Sequence, residues 1–203
     1  MLNRLARAGI TKLFTPVAKF FVRLGISPDA VTIVGTLGVM VGALGFYPRG
    51  ELFWGTMVIT AFVFSDAIDG IMARLLDRPS KWGAFLDSTL DRFADAAIFG
   101  GLVLWGYGVG QAPLIGHFAL ASLILGSIVP YARARAEGLG MNAAVGIAER
   151  ADRLVVALVM TGFTGLGMPE IVLTVTLGLL SVAAFITVIQ RVLVVRKQAL
   201  EAA

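Results

Sequence analysis

Hydrophobic positions divide this chain into seven stretches. In the first, residues 2–24, Leu2, Ile10, Leu13, Phe14, Val17, Phe20, Phe21 and Leu24 fall in one arc of about 120° on a helical wheel. Arg4, Arg7, Lys12, Lys19 and Arg23 fill the rest. This pattern predicts a helix lying in a membrane interface and bent at Pro16, with packing on the protein's own surface as the alternative. Gly25-Ile26-Ser27-Pro28-Asp29 then reads as a helix start, Ser27 capping and Pro28 in the first turn. Six apolar runs follow, at about 29–47, 52–76, 83–107, 113–136, 150–167 and 169–194. Each is close to or above the roughly 20 residues that cross a bilayer, the fifth being the shortest. The expectation is an all-α integral membrane protein, with six transmembrane helices after an N-terminal interfacial amphipathic helix, forming one membrane domain over residues 1–203.

Composition agrees. Of 203 residues, 58% are hydrophobic, which excludes an ordinary soluble domain. There is no cysteine, so disulfides, thiol chemistry and Cys-ligated metals are excluded. The basic N-terminus leads into a long amphipathic stretch rather than a short apolar core, so no cleavable signal is expected. All of the 17 Lys and Arg except Arg49 fall on one side of the expected spans. The positive-inside rule then predicts a multi-pass protein of the cell inner (plasma) membrane, with both termini and that side in the cytoplasm. A net charge of +4 therefore reflects orientation and anionic lipid, and no nucleic-acid partner is expected. Gly35, Gly38, Gly42 and Gly45 stripe the first span, where small residues let helices approach closely inside the bundle.

Against this apolar background, the acids of residues 65–95 stand out. Asp66 and Asp69 are spaced i, i+3, and Asp87 and Asp91 i, i+4, so each pair shares a helix face. The turn between them, with Arg78, Pro79, Ser80 and Lys81, lets the two helices run antiparallel and the four carboxylates converge. Acids in membrane helices are costly and point to function. Carboxylates that close repel one another, and a hard divalent cation with oxygen ligands relieves the repulsion. Asp77 fits a solvated turn; Asp95 continues the Asp87–Asp91 face and is expected to pair with an arginine or with a ligand carboxylate.

Together Asp66, Asp69, Gly70, Ala73, Arg74, Gly83, Asp87 and Asp91 spell D-x-x-D-G-x-x-A-R-x(8)-G-x-x-x-D-x-x-x-D. Eight fixed positions would match by chance in a chain of this size with a frequency on the order of 10⁻⁸, so the match is specific. The pattern resembles the signature of the CDP-alcohol phosphotransferases, membrane enzymes that move a phosphatidyl group from a CDP-linked lipid to an alcohol and release CMP. Pro28-Asp29-x-x-Thr32 resembles that family's P-N-x-x-T, with Asp in place of Asn and so without an amide donor. The resemblance implies Asp66, Asp69, Asp87 and Asp91 as ligands of two Mg²⁺ ions, or of Mn²⁺, with Asp91 also the general base. It also implies Asp29, Thr32, Gly70, Ala73, Arg74 and Ser80 as contacts of CDP-diacylglycerol; helix packing, interface anchoring and turn formation are the structural alternatives for the last four. A homodimer is implied as well.

Acceptors in this family differ in whether they carry a phosphate, which needs a cationic pocket. Arg133, Arg153 and Arg191, at cytoplasmic helix ends, are the candidates, against simple positive-inside anchoring. The run Ser127–Met141 resembles the actinobacterial branch that uses 1D-myo-inositol 3-phosphate. The expected partners are thus CDP-diacylglycerol, inositol phosphate and membrane lipid. Glycerol 3-phosphate as acceptor, making the chain a phosphatidylglycerophosphate synthase, is the alternative within the family. A divalent-cation transporter is the alternative outside it, disfavoured because the acids cluster near one interface.

Overall fold

The computed structural model describes residues 2–76 and 80–201, without the side chains of residues 2–10, Lys12, Asp66 and Ala67. Among the described residues the regular structure is entirely helical: α1 (Leu2–Arg23), α2 (Pro28–Phe46), α3 (Leu52–Val63), α4 (Ser65–Leu75), α5 (Lys81–Tyr107), α6 (Pro113–Glu137), α7 (Arg150–Gly165) and α8 (Glu170–Glu201), with one 3-10 turn at Tyr47–Arg49. Ser27 caps α2 as expected, its hydroxyl accepting from the Ala30 amide at 3.2 Å, with Pro28 at the first helical position. α1 runs through Pro16 as a helix.

Six helical rods close into a ring. α2 packs on α3, α3 on α7, α7 on α8, α8 on α6, α6 on α5, and α5 returns to α2. A core of Val39, Ala43, Ile59, Phe99, Leu102, Ile115 and Leu177 fills the centre. Tyr47 is completely buried at one end, its hydroxyl hydrogen-bonded to Thr56 Oγ1 at 2.9 Å. Four rods are long and apolar enough to cross a membrane: Pro28–Arg49, Leu52–Leu75, Pro113–Glu137 and Glu170–Glu201. The other two differ from the apolar runs expected of them. α5 carries Asp87, Asp91, Arg92 and Asp95, and α7 has only 16 residues.

The second expected span is interrupted. At Phe64 the helix breaks into α3 and α4, without a proline or glycine to signal it. The break lets the rod change neighbours: α3 packs on α2 and α7, whereas α4 packs on α1 and α2. Phe64 stacks on Phe14 of α1, with ring centroids 5.3 Å apart. α1 is thereby docked. Phe14, Ala18, Phe21 and Val22 pack with Ile71 and Met72 of α4. Leu13, Val17, Phe20 and Leu24 form a second, exposed apolar line beside them. The single apolar arc expected of this helix therefore divides into a half facing the protein and a half facing out.

Close approach explains the glycines. A Cβ at Gly35 would strike Ser65, one at Gly38 the Phe62 ring, and one at Gly42 Ile59, so these three hold α2 against α3 and α4. Gly45 falls outside that seam; its nearest neighbour is Arg49. On α5, a Cβ at Gly101 would lie 2.8 Å from the Ala43 carbonyl oxygen, a backbone atom that cannot rotate away. Its neighbour Gly100 meets nothing within 4 Å. Gly101→Val should therefore cost about 1–3 kcal/mol and lower the thermal midpoint of the purified protein by several degrees. Gly100→Ala should leave the midpoint unchanged or slightly raised. Equal midpoints for both variants would contradict the α2–α5 contact.

Candidate active site

Where α1 ends and α2, α4, α5 and α7 converge, the structure holds an open cavity of about 810 Å³. Gly25 to Asp29 and Thr32 form one wall, Asp69, Gly70 and Ala73 another, and Ser80, Gly83, Asp87 and Asp91 a third, with Arg150 reaching in from α7. The motif positions expected to act together are thus brought together, with two exceptions. Asp66 occupies the turn of α4 before Asp69, but its side chain lies outside the described residues, as do Asp77, Arg78 and Pro79 entirely. Arg74 is exposed on α4 and is not part of the cavity wall.

Local structure sets each group. Thr32 projects from the first turn of α2 and donates to Asp69 Oδ2 at 2.5 Å, orienting that carboxylate from the neighbouring helix. Asp29 Oδ2 accepts from Trp82 Nε1 at 3.1 Å, so the first turns of α2 and α5 are tied at the cavity rim. Ser80 caps α5: its hydroxyl accepts from the Gly83 amide at 2.8 Å. A Cβ at Gly70 would meet only the tip of Arg74, 4.0 Å away, so the helix backbone at Gly70 borders open cavity. A flat ring or a ribose can approach it there.

Asp91 is engaged by cations. Arg150 Nη1 lies 2.7 Å from Asp91 Oδ1, and Arg92 Nη2 lies 3.6 Å from Oδ2. One turn further along α5, Asp95 is buried and faces Arg150 Nε at 2.9 Å. The expectation that Asp95 pairs with an arginine is therefore met. Sequence spacing gives Arg150 no preference over the other basic residues at helix ends, yet it is the arginine that reaches the cavity. It is the first residue of α7, and its reach across to Asp91 and Asp95 of α5 is a tertiary fact. Trp82 carries no sequence signal for its contact with Asp29.

None of the three acceptor-phosphate candidates lines the large cavity. Arg153 is 1% exposed and borders a separate, water-sized space of about 20 Å³ with Asp95, Arg92, Gly126 and Ser127. Arg191, also buried, donates to the carbonyls of Val145 at 2.9 Å and Val129 at 2.5 Å, binding the connection after α6 to the ring. Arg133 is exposed and pairs with Glu137 at 2.8 Å. The positive charges of the three repel one another: Arg191 bears on Arg153, and Arg133 on Arg191.

The acids fit a hard divalent cation by their chemistry: Asp69, Asp87 and Asp91 offer only oxygen donors and face one cavity from two helices. Among the described residues no three of them form a ready cage. The position of Asp66, a turn before Asp69 on the same helix, is where a fourth carboxylate would enter.

Comparison with known proteins bears directly on this site. A phosphatidylinositol phosphate synthase of Streptomyces avermitilis is 53% identical over 208 residues, covering 100% of this chain and 85% of its own length. One from Cutibacterium acnes is 46% identical, covering 94% and 96%. The crystal structure of the Mycobacterium tuberculosis phosphatidylinositol phosphate synthase with CDP-DAG bound superposes with a TM-score of 0.84 at 37% identity, over 91% of this chain and 94% of that one. The same enzyme in complex with manganese and citrate gives 0.83 at 38%, over 90% and 88%. Residues 25–146, which span both motif helices, match the CDP-alcohol phosphatidyltransferase family. The chain is an integral membrane protein and belongs to the CDP-alcohol phosphatidyltransferase family.

Proposed function

We propose that this chain is a phosphatidylinositol phosphate synthase, which transfers the phosphatidyl group of CDP-diacylglycerol to 1D-myo-inositol 3-phosphate and releases CMP. The observation that carries this reading is the single cavity lined by motif residues of α2, α4 and α5 in a chain 53% identical to an enzyme of that name. The six rods are six transmembrane spans of one membrane domain, and α1 lies in the interface with Leu13, Val17, Phe20 and Leu24 turned to lipid. Both termini and the cavity face the cytoplasm, by the distribution of Lys and Arg. The working form is a homodimer in the cell inner membrane.

Asp29, Thr32, Gly70, Ala73 and Ser80 border the nucleotide, and Arg74 grips a phosphate from outside the wall. Asp66, Asp69, Asp87 and Asp91 hold Mg²⁺ or Mn²⁺, two ions in the full site. Bound there, the ions would offset negative charge on the pyrophosphate and on departing CMP. Thr32 fixes the Asp69 carboxylate for this role. Asp91 takes the proton from the acceptor hydroxyl as its oxygen bonds to the lipid-side phosphorus. The bond from that phosphorus to the bridging oxygen breaks, and the oxygen leaves with CMP. Arg150 balances the charge of Asp91 and aims it. Arg133, Arg153 and Arg191 receive the acceptor phosphate.

CMP release by the purified protein in detergent–lipid micelles with Mg²⁺ should require inositol phosphate and stop on chelation. Release with glycerol 3-phosphate alone would move the acceptor assignment, and release with neither would remove the activity. Asp91→Asn should lower kcat by roughly 10²–10⁴-fold while CDP-diacylglycerol binding, followed with a labelled donor, stays near normal. Near-normal turnover would remove Asp91 as base. Arg191→Ala should raise the KM for inositol phosphate by about tenfold or more with little effect on that for CDP-diacylglycerol; equal effects on both would dissolve the phosphate pocket.

A further inference from the structure

Asp95 is buried deeper than any cavity acid needs to be, and nothing above gives it a task. It is 5% exposed, on the α5 turn after Asp91. Three guanidiniums converge on it. Arg150 Nε lies 2.9 Å from Oδ1, and Arg153 Nη2 and Arg92 Nη2 lie 3.7 and 3.9 Å from Oδ2. Two come from the first turn of α7 and one from α5 itself.

Arg153 depends on this carboxylate most. It is 1% exposed, and Asp95 is its only acidic partner within ion-pair distance among the described residues. A buried guanidinium without a counter-charge is strongly unfavourable. The pairing engages one edge of it: Nη2 also reaches the Gly126 carbonyl at 3.4 Å, while Nε and Nη1 have no hydrogen-bond partner. Arg153 also lines the small internal space, with Ser122 and Ser127. Arg150 uses Asp95 differently. Its Nε is held there, which leaves Nη1 to meet Asp91 at 2.7 Å. Three arginines against the two carboxylates of Asp91 and Asp95 leave an excess of positive charge, which suits a phosphate.

We propose that Asp95 is a positioning residue for the phosphorylated acceptor. It holds Arg153 by one edge, with Nε and Nη1 left unpaired, and through Arg150 it ties Arg153 to the position of Asp91. This rests on the acceptor reading above. Asp95 touches neither substrate nor metal; it acts through the arginines.

Asp95→Asn keeps the size and removes the charge, and Asp95→Glu restores it. Asp95→Asn should raise the KM for myo-inositol 3-phosphate by about tenfold or more, leave that for CDP-diacylglycerol within about twofold, and Asp95→Glu should recover part of the loss. A second readout needs no turnover. Inositol phosphate should raise the thermal midpoint of the wild-type protein in micelles. Asp95→Asn should lose that rise while keeping the one given by CDP-diacylglycerol with Mg²⁺. If Asp95→Asn does not fold, Asp95→Glu alone should show a reduced rise with inositol phosphate and a full one with the donor lipid. Equal changes in both KM values would overturn the proposal, and so would an acceptor-induced rise as large in the variant as in the wild type. Absence of that rise in the wild type would overturn it too. If the wild type turns over a different phosphorylated alcohol, the acceptor reading fails, and the same KM split measured on that alcohol decides the role of Asp95.

Discussion

Charge inside an apolar bundle has to be answered by charge, and the pairing of α5 with α7 is where this protein answers it. Asp91 and Asp95 project from a helix whose other end is packed with Ile98, Phe99 and Leu102. Arg150 and Arg153 open the facing helix. Removing one member of a buried ion pair typically costs 3–5 kcal/mol, because the survivor is left uncompensated. The pairs therefore tie the start of α7, which packs on α3 and α8, across to α5. They fix it at the end of the bundle where the other carboxylates are, so the same contacts that seat a helix also orient the site. The opposite end of the ring needs no such device, since Tyr47 satisfies its hydroxyl on Thr56 and the remaining contacts are apolar.

The cavity lies beside the second half of the second rod: α3 packs on α2 and α7, α4 on α1 and α2, and Asp69, Gly70 and Ala73 of α4 line the opening there. Gly35 and Gly38 let this rod come close to α2, since Ser65 and Phe62 lie where side chains on α2 would otherwise be. Thr32 then meets Asp69 across the gap. Small residues at the seam and a hydroxyl at its open end account for both the closeness of the helices and the opening between them.

Much of this was legible in the chain. Apolar runs gave the rods to within a few residues except at the end of α8, which continues to Glu201; the Ser27-Pro28 start gave the first turn of α2, and the i, i+4 acids Asp87 and Asp91 gave the face of α5 that lines the cavity. These signals are local: each depends on residues a few positions apart. What was not legible depends on partners distant in sequence. The break at Phe64 has no proline or glycine to announce it, and the Phe64 ring stacks on Phe14, fifty residues earlier. Arg150 reads as one of many basic residues at helix ends until its ion pairs with Asp91 and Asp95 of α5 are seen. Arg153 and Arg191 stand out as arginines in apolar helices, but their positions beside a separate small space and against the loop carbonyls are tertiary facts. The amphipathic arc of α1 was visible, while its division between protein and outside required the docking of α4.

The same distinction explains why the motif locates chemistry better than it locates the acceptor. In the proposed reading the nucleotide, the lipid pyrophosphate and the metal fall to residues on α2, α4 and α5, where helical spacing sets much of the geometry. The phosphorylated acceptor falls in that reading to Arg133, Arg153 and Arg191 of α6, α7 and α8. Their relation to α5 is set by side-chain pairing rather than by spacing. Arg191 joins the stretch after α6 to α8 through Val145, and Arg153 joins α7 to α5 through Asp95. Selection among alcohols can therefore shift through changes in these pairings while the acidic motif stays intact.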